Sequence, residues 1–246
     1  MQVQYFKNYS HNLGRDMEFK VYGHGGRPVL FIPCQAGRFF DFESFHMTDH
    51  WGAWIEQGLC TVYSIDTIDN EAWAAQGADN RWRTENHERW YNYVVNEVVP
   101  TIHSMSGNQG IMTFGASMGA MHAANLFFRR PDLFDSVFAI SGLYDSPEFF
   151  GDYMDDILYN NCPVNYLANM PQDHYYIDMY NHRKILIVVG QGKWEGPLIE
   201  STRRLENVLR NKGINAQVDY WGFDVDHDWP WWYKMVAHYV PQFLYR

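Results

Sequence analysis

Short apolar runs alternate with longer stretches of helical periodicity along this chain. Eight runs rich in β-branched and aromatic residues read as strands: "VQYFKNYS", "MEFKVYGH", "PVLFIPC", "CTVYSID", "GIMTFG", "SVFAIS", "KILIVVG" and "AQVDYWG". The first two place polar residues at alternate positions, as half-exposed antiparallel edge strands do; the later ones are more uniformly apolar, as central strands covered on both faces are. Between them, "TENHERWYNYVVNEVVPTIH" repeats Tyr91, Val94, Val95, Val98 and Ile102 at helical spacing, with Thr84 as its candidate N-cap and Pro100 expected to kink or end it. "PLIESTRRLENVLRNKG" opens on Pro197, carries Leu198, Thr202, Leu205 and Leu209 on one face and stops at Gly213, and a last helix begins at Pro230. Residues 143–182 are aromatic and hold no strand of their own, so they read as a small helical insertion. Strands alternating with helices predict a mostly parallel α/β sheet within one domain spanning residues 1–246.

Composition narrows the functional classes. No run of eighteen apolar residues suggests a membrane span, and "MQVQYFKNYSHN" lacks the basic start and apolar block of a secretory signal, so a cytoplasmic protein with no membrane partner is expected. Cys34, Cys60 and Cys162 are too scattered for a disulfide framework or a zinc cluster. A formal charge of -10 without a basic stripe argues against a nucleic-acid partner, because binding a phosphate backbone needs clustered Lys and Arg. Aromatic residues, at 17%, are the odd feature of the composition; most are expected in the core, and some are candidates to line an apolar or sugar-binding cleft.

The chemistry centres on "GIMTFGASMGAMHAA". Gly-x-Ser-x-Gly arises by chance in roughly one chain in ten of this length, so the motif alone says little. Here it follows a buried strand and opens a helix, which is the strand, sharp turn and helix context it requires. Ser117 is then a candidate nucleophile exposed on a strained turn, with Gly115 and Gly119 removing side chains that would clash. The helix start beyond it favours developing negative charge, and Met118 N–H is the candidate first oxyanion donor. The competing reading is an N-cap serine between packing glycines.

A hydroxyl nucleophile needs a base and an orienting acid. His227 lies after the last strand and before the last helix, where the chain order Ser, acid, His requires the base. Glu195 follows directly on the strand "KILIVVG", and chain order favours it as the acid over Asp224, Asp226 and Asp228, which flank the histidine. The second oxyanion donor is expected from "FIPCQAGRFFDFESF", as Gln35 or Ala36 N–H, with Gly37 allowing close approach of substrate. Cys34 is a rival thiol nucleophile with no activating group in sequence, and His24, His122 and His238 read as surface or packing residues. None of those three pairs with a second ligand at metal spacing.

With these residues in place the chain resembles the α/β-hydrolase superfamily, and within it the family described as Putative esterase, with its esterase D-like and antigen 85-like members and its small single-domain bacterial esterases. The resemblance is carried by "FIPCQAGRFFDFESF", "GASMGAMHAA", "VVGQGKWEGP" and "VDHDWPWW". It implies an α/β-hydrolase fold and hydrolysis of a small-molecule carboxylic ester without cofactor or metal. It also implies Glu195 as the acid and Gln35 as the second oxyanion donor. "CQAGR" departs from the glycine-rich stretch common in that family. Trp194 and the aromatic insertion are candidates to hold substrate, which leaves acyl transfer to an alcohol or sugar as a second reading. A non-catalytic binding module is a third, disfavoured because a binder has no need of all three polar groups.

Overall fold

The computed structural model describes residues 1–107 and 109–245. Its eight strands are β1 (Val3–Ser10), β2 (Arg15–Tyr22), β3 (Arg27–Ile32), β4 (Cys60–Ile65), β5 (Ile111–Ala116), β6 (Phe134–Ile140), β7 (Lys184–Val189) and β8 (Gln217–Tyr220). They form one sheet in the order β1-β2-β4-β3-β5-β6-β7-β8. The hairpin β1–β2 and the β2–β4 pair are antiparallel, and all pairs from β4 to β8 are parallel. The burial of each strand matches its pattern: β1 is mostly exposed, whereas β4 and β5 are buried at every position.

Helices cover both faces, and the period-2 alternation of the central strands feeds two separate cores. Leu30 and Ile32 of β3 pack on the side of helices Asn80–Tyr93, Met118–Arg129 and Gly196–Asn211. Val29 and Phe31, which alternate with them in sequence, pack on the other side with Trp51, Trp232 and Val236 of helices Met47–Glu56 and Trp229–Tyr239. This is the α/β-hydrolase fold. Between β6 and β7 lie four short helices, Pro147–Phe150, Asp156–Tyr159, Pro163–Asn169 and Tyr175–Asn181.

One local expectation is corrected, and of the two outcomes expected at Pro100 one does not occur. The helix at 80–93 starts four residues before Thr84: Asp79 is its N-cap, accepting the Trp82 N–H at 2.9 Å, and Thr84 is buried inside it, bonded to Arg81 O. Pro100 does not end the helical run, which continues to Ser106. A π-helical segment, Val94–Val98, precedes the proline, and its wider turn accommodates the missing N–H and the ring that would clash in a regular helix.

The parallel strands run in one direction, so the loops after β3, β5, β6, β7 and β8 gather along a single edge of the sheet. That edge carries the candidate site.

Candidate active site

Ser117 follows β5 with φ 56° and ψ -127°, a conformation that costs an L-residue of order 1–3 kcal/mol. The surroundings enforce it. Its N–H donates to Ile140 O of β6 at 2.9 Å, and the helix Met118–Arg129 begins at the next residue. A side chain on Gly115 would overlap the backbone of Gly119, and one on Gly119 would overlap the carbonyl oxygens of Ile32 and Pro33. The glycine spacing therefore reflects a helix pressed against two neighbouring strand ends, which turns the serine hydroxyl outward.

His227 reaches that hydroxyl from the loop after β8, with Nε2 3.0 Å from Ser117 Oγ. The loops after β7 and β8 are bonded to each other: Gly192 N–H donates to Val225 O (2.8 Å), Lys193 N–H to Asp226 Oδ1 (2.7 Å) and His227 N–H to Lys193 O (3.0 Å). Trp232 packs edge-on to the imidazole, with ring centroids 4.9 Å apart. The ring is thus held from the backbone side and from one flank.

Glu195 is 0% exposed and lies on the far side of the imidazole, Oε2 being 3.4 Å from His227 Nδ1. Among the described residues it is the one carboxylate in ion-pair range of His227. The three aspartates near the histidine in sequence are engaged otherwise or face elsewhere: Asp226 accepts Lys193 N–H, Asp228 accepts Trp229 N–H at 2.8 Å as a helix cap, and Asp224 sits beside Gly222. Among the described residues neither Glu195 Oε2 nor His227 Nδ1 has a hydrogen-bond partner, and both atoms are buried, so each is the polar group available to the other. At 3.4 Å the contact is longer than a formed hydrogen bond, as is common before substrate tightens a site.

Of the two amides considered for the second oxyanion donor, Ala36 N–H is already taken, donating to Asp69 Oδ2 at 2.9 Å. Gln35 N–H has no acceptor among the described residues, and Met118 N–H stands unpaired at its helix start. The space a Gly37 side chain would need is filled by Pro33, Cys34 O and Asp41, so the turn's own packing requires this glycine. Burial, followed by the nearby Asp41 and Asp69, pushes the Cys34 thiol up to about 12, far from the thiolate a nucleophile needs. Trp194 is 82% exposed on the loop leading to Glu195, and Phe223 is equally exposed on the adjoining loop.

Two features that bear on the site, one hydroxyl and one buried pair, lie outside the sequence reading. Ser141, at the end of β6, donates its hydroxyl to Glu195 Oε1 at 2.6 Å. Its place after an apolar strand at the same sheet edge was the available clue. Asp69 and His122 form a buried pair, Oδ1 to Nε2 2.8 Å, and nothing in their spacing announces it. Among the described residues no three His, Cys, Asp or Glu side chains gather as metal ligands, and no helix is long and apolar enough to cross a membrane.

The eight-stranded sheet, its mostly parallel order and a serine turn at the end of β5 define an α/β-hydrolase. Within that class, residues 10–243 match the family model described as Putative esterase, and the chain belongs to that family of ester hydrolases. By sequence, no curated protein matches it. Among solved structures it is similar to a ferulic acid esterase, with TM-score 0.77, 16% identity, and 99% of this chain and 98% of that one covered. It is also similar to FphF, a fluorophosphonate-binding serine hydrolase of Staphylococcus aureus, with TM-score 0.72, 13% identity, and 100% and 99% covered. An S-formylglutathione hydrolase from Agrobacterium tumefaciens aligns with TM-score 0.70, 16% identity, and 98% and 92% covered.

Proposed function

We propose that the protein hydrolyses small carboxylic esters through an acyl-enzyme on Ser117. His227 Nε2 takes the hydroxyl proton as Oγ attacks the ester carbonyl, and the carbonyl electron pair moves to oxygen. Met118 and Gln35 N–H groups stabilise that oxyanion, and Glu195 stabilises the imidazolium across the ring. Collapse expels the alcohol, which takes the proton from His227. Water then repeats the sequence on the acyl-enzyme, releasing the acid and restoring Ser117. These steps use side chains and backbone of this chain alone.

The observation that carries this reading is the 3.0 Å approach of His227 Nε2 to Ser117 Oγ, with a fully buried carboxylate behind the same ring. Ser117→Ala is expected to lower turnover of p-nitrophenyl acetate by about 10⁴- to 10⁶-fold, with fluorophosphonate labelling abolished. A loss under about tenfold rules out Ser117 as the nucleophile. The structural neighbours named as a ferulic acid esterase and an S-formylglutathione hydrolase make a feruloyl ester and S-formylglutathione the first substrates to compare with simple esters.

The exposed rings of Trp194 and Phe223 on adjoining loops support a second reading, in which an alcohol or sugar replaces water as the acyl acceptor. Product analysis with water and alcohol in competition separates the two. Dominant transfer at low alcohol concentration favours acyl transfer.

A further inference from the structure

A carboxylate that takes no part in the proposed reaction links the two halves of the proposed oxyanion hole. Asp69 opens the short 3-10 turn Asp69–Glu71 after β4, and its side chain is 3% exposed. Oδ1 bonds His122 Nε2 at 2.8 Å, and His122 belongs to the helix that Met118 begins. Oδ2 accepts the N–H of Ala36 at 2.9 Å, in the loop that follows β3.

The conformation of that loop explains why the second bond matters. Gly37 N–H closes a turn onto Cys34 O at 2.8 Å, Ala36 has φ 57°, and Gln35 has no positive φ, which together make a type II turn. The third position of such a turn favours glycine, so alanine there is strained. Rotating the Gln35–Ala36 peptide to the type I arrangement relieves the strain and exchanges the Ala36 N–H for the Gln35 carbonyl on the side facing Asp69. A carboxylate cannot donate to a carbonyl oxygen, so Asp69 forbids that rotation. Burial pushes the Asp69 carboxyl up, but the charge and hydrogen bond of His122 and the Ala36 N–H outweigh it and hold the group below its ordinary range. Thr67 pins the Gly37–Arg38 peptide at the end of the turn, its N–H and Oγ1 both donating to Gly37 O, at 3.4 and 3.0 Å.

We propose that Asp69, anchored by His122, is a positioning residue that, by holding the Gln35–Ala36 peptide, keeps the whole Cys34–Gly37 turn in place and with it the Gln35 N–H, carried by the preceding peptide, relative to the Met118 N–H. The inference rests on the reading of Ser117 as nucleophile. It is tested with p-nitrophenyl acetate kinetics and the affinity of an aryl trifluoromethyl ketone. Ser117 Oγ adds to that ketone, the proton passes to His227, and the carbonyl electron pair becomes an oxyanion in the same hole. D69A is expected to lower kcat and ketone affinity together by about 10- to 100-fold with KM changed less than about threefold, the signature of a damaged oxyanion hole. D69N keeps an acceptor for Ala36 N–H but gains an amide N–H that can serve the rotated Gln35 carbonyl, so it is expected to recover only part of the loss. D69A/A36G recovers part of it, because glycine removes the strain that drives the rotation. A folded D69A with wild-type ketone affinity, or a D69A/A36G variant no better than D69A, overturns the inference.

A measurement on the wild-type enzyme keeps the question open to refutation if D69A does not fold. On forming the ketone adduct, the Gln35 and Met118 amide protons are expected to shift downfield while that of Ala36 stays in place. A shifted Ala36 amide, or an unmoved Gln35 amide, overturns the inference. A wild-type enzyme that forms no ketone adduct at Ser117 instead overturns the reading of the site itself.

Discussion

Ser141 Oγ donates to Glu195 Oε1 at 2.6 Å, which leaves Oε2 of the same carboxylate facing His227. Ser141 holds φ 52°, and its N–H is bonded to Val188 O of β7 at 2.7 Å, so the hydroxyl is presented from a rigid strand end. Removing that hydroxyl strips one buried carboxylate oxygen of its donor. Ser141→Ala is expected to destabilise the fold by about 1–3 kcal/mol, the usual cost of an unsatisfied buried acceptor. It should also lower kcat several-fold as Glu195 loses its orientation. Ser141→Thr, which keeps the hydroxyl, tests whether the hydrogen bond is responsible; an S141A variant with wild-type kcat and urea midpoint rejects the role.

The acid assignment separates cleanly by substitution. Glu195→Gln leaves a buried group of the same shape without charge, and by analogy with other triads a loss of about 10³- to 10⁴-fold in kcat is expected. Asp226→Asn keeps an oxygen for the Lys193 N–H and should change kcat by less than about fivefold. The comparison is read from kcat on one p-nitrophenyl ester at fixed pH, and a larger loss at position 226 than at 195 reverses the assignment.

What could be read along the chain depended on whether one element carried it. The turn at Ser117 was legible because "GIMTF", the glycines and the alanine-rich helix are contiguous, so their shared geometry leaves a local pattern. His227 and Glu195 were legible through chain order, each following a strand that the apolar pattern marks. Asp69 and His122 lie 53 residues apart and meet only because β4 and β5 flank β3 in the sheet, a fact of topology that no periodicity records. At Pro100 the sequence leaves a kink or an end open for a different reason. Proline forbids a regular helical bond but permits a wider π turn, and local sequence does not say which relief the packing will select.

Gly119 gives a sharp packing test. A Cβ there would overlap the carbonyl oxygens of Ile32 and Pro33, where the helix Met118–Arg129 meets the end of β3. Backbone atoms of a buried strand cannot yield as a flexible side chain does. Gly119→Ala is therefore expected to destabilise the protein by about 2–4 kcal/mol, despite alanine's better helix propensity. Ala120→Gly, at the neighbouring buried position, should be milder, about 1 kcal/mol for helix propensity plus a lost methyl. Urea unfolding of the two variants checks the order, and G119A equal to or more stable than A120G contradicts the close approach.

Acid sensitivity of the fold should trace in part to His87. The ring is buried between Trp73, edge-on at 5.7 Å, and His122, stacked at 5.1 Å, with Trp90 at 5.7 Å. Burial, reinforced by the neighbouring His122, drives its pKa well below the ordinary histidine value. The folded protein therefore keeps His87 neutral over a range in which the unfolded chain binds a proton there. Protons then favour the unfolded state: the contribution is fully felt above about pH 6.5 and declines as pH falls through that value, at a slope approaching about 1.4 kcal/mol per unit. His87→Gln removes the titrating group while keeping a planar polar side chain. Its unfolding free energy, measured in urea between pH 7 and pH 5, is expected to fall less steeply than that of the wild type. Parallel slopes would assign the acid sensitivity to other groups.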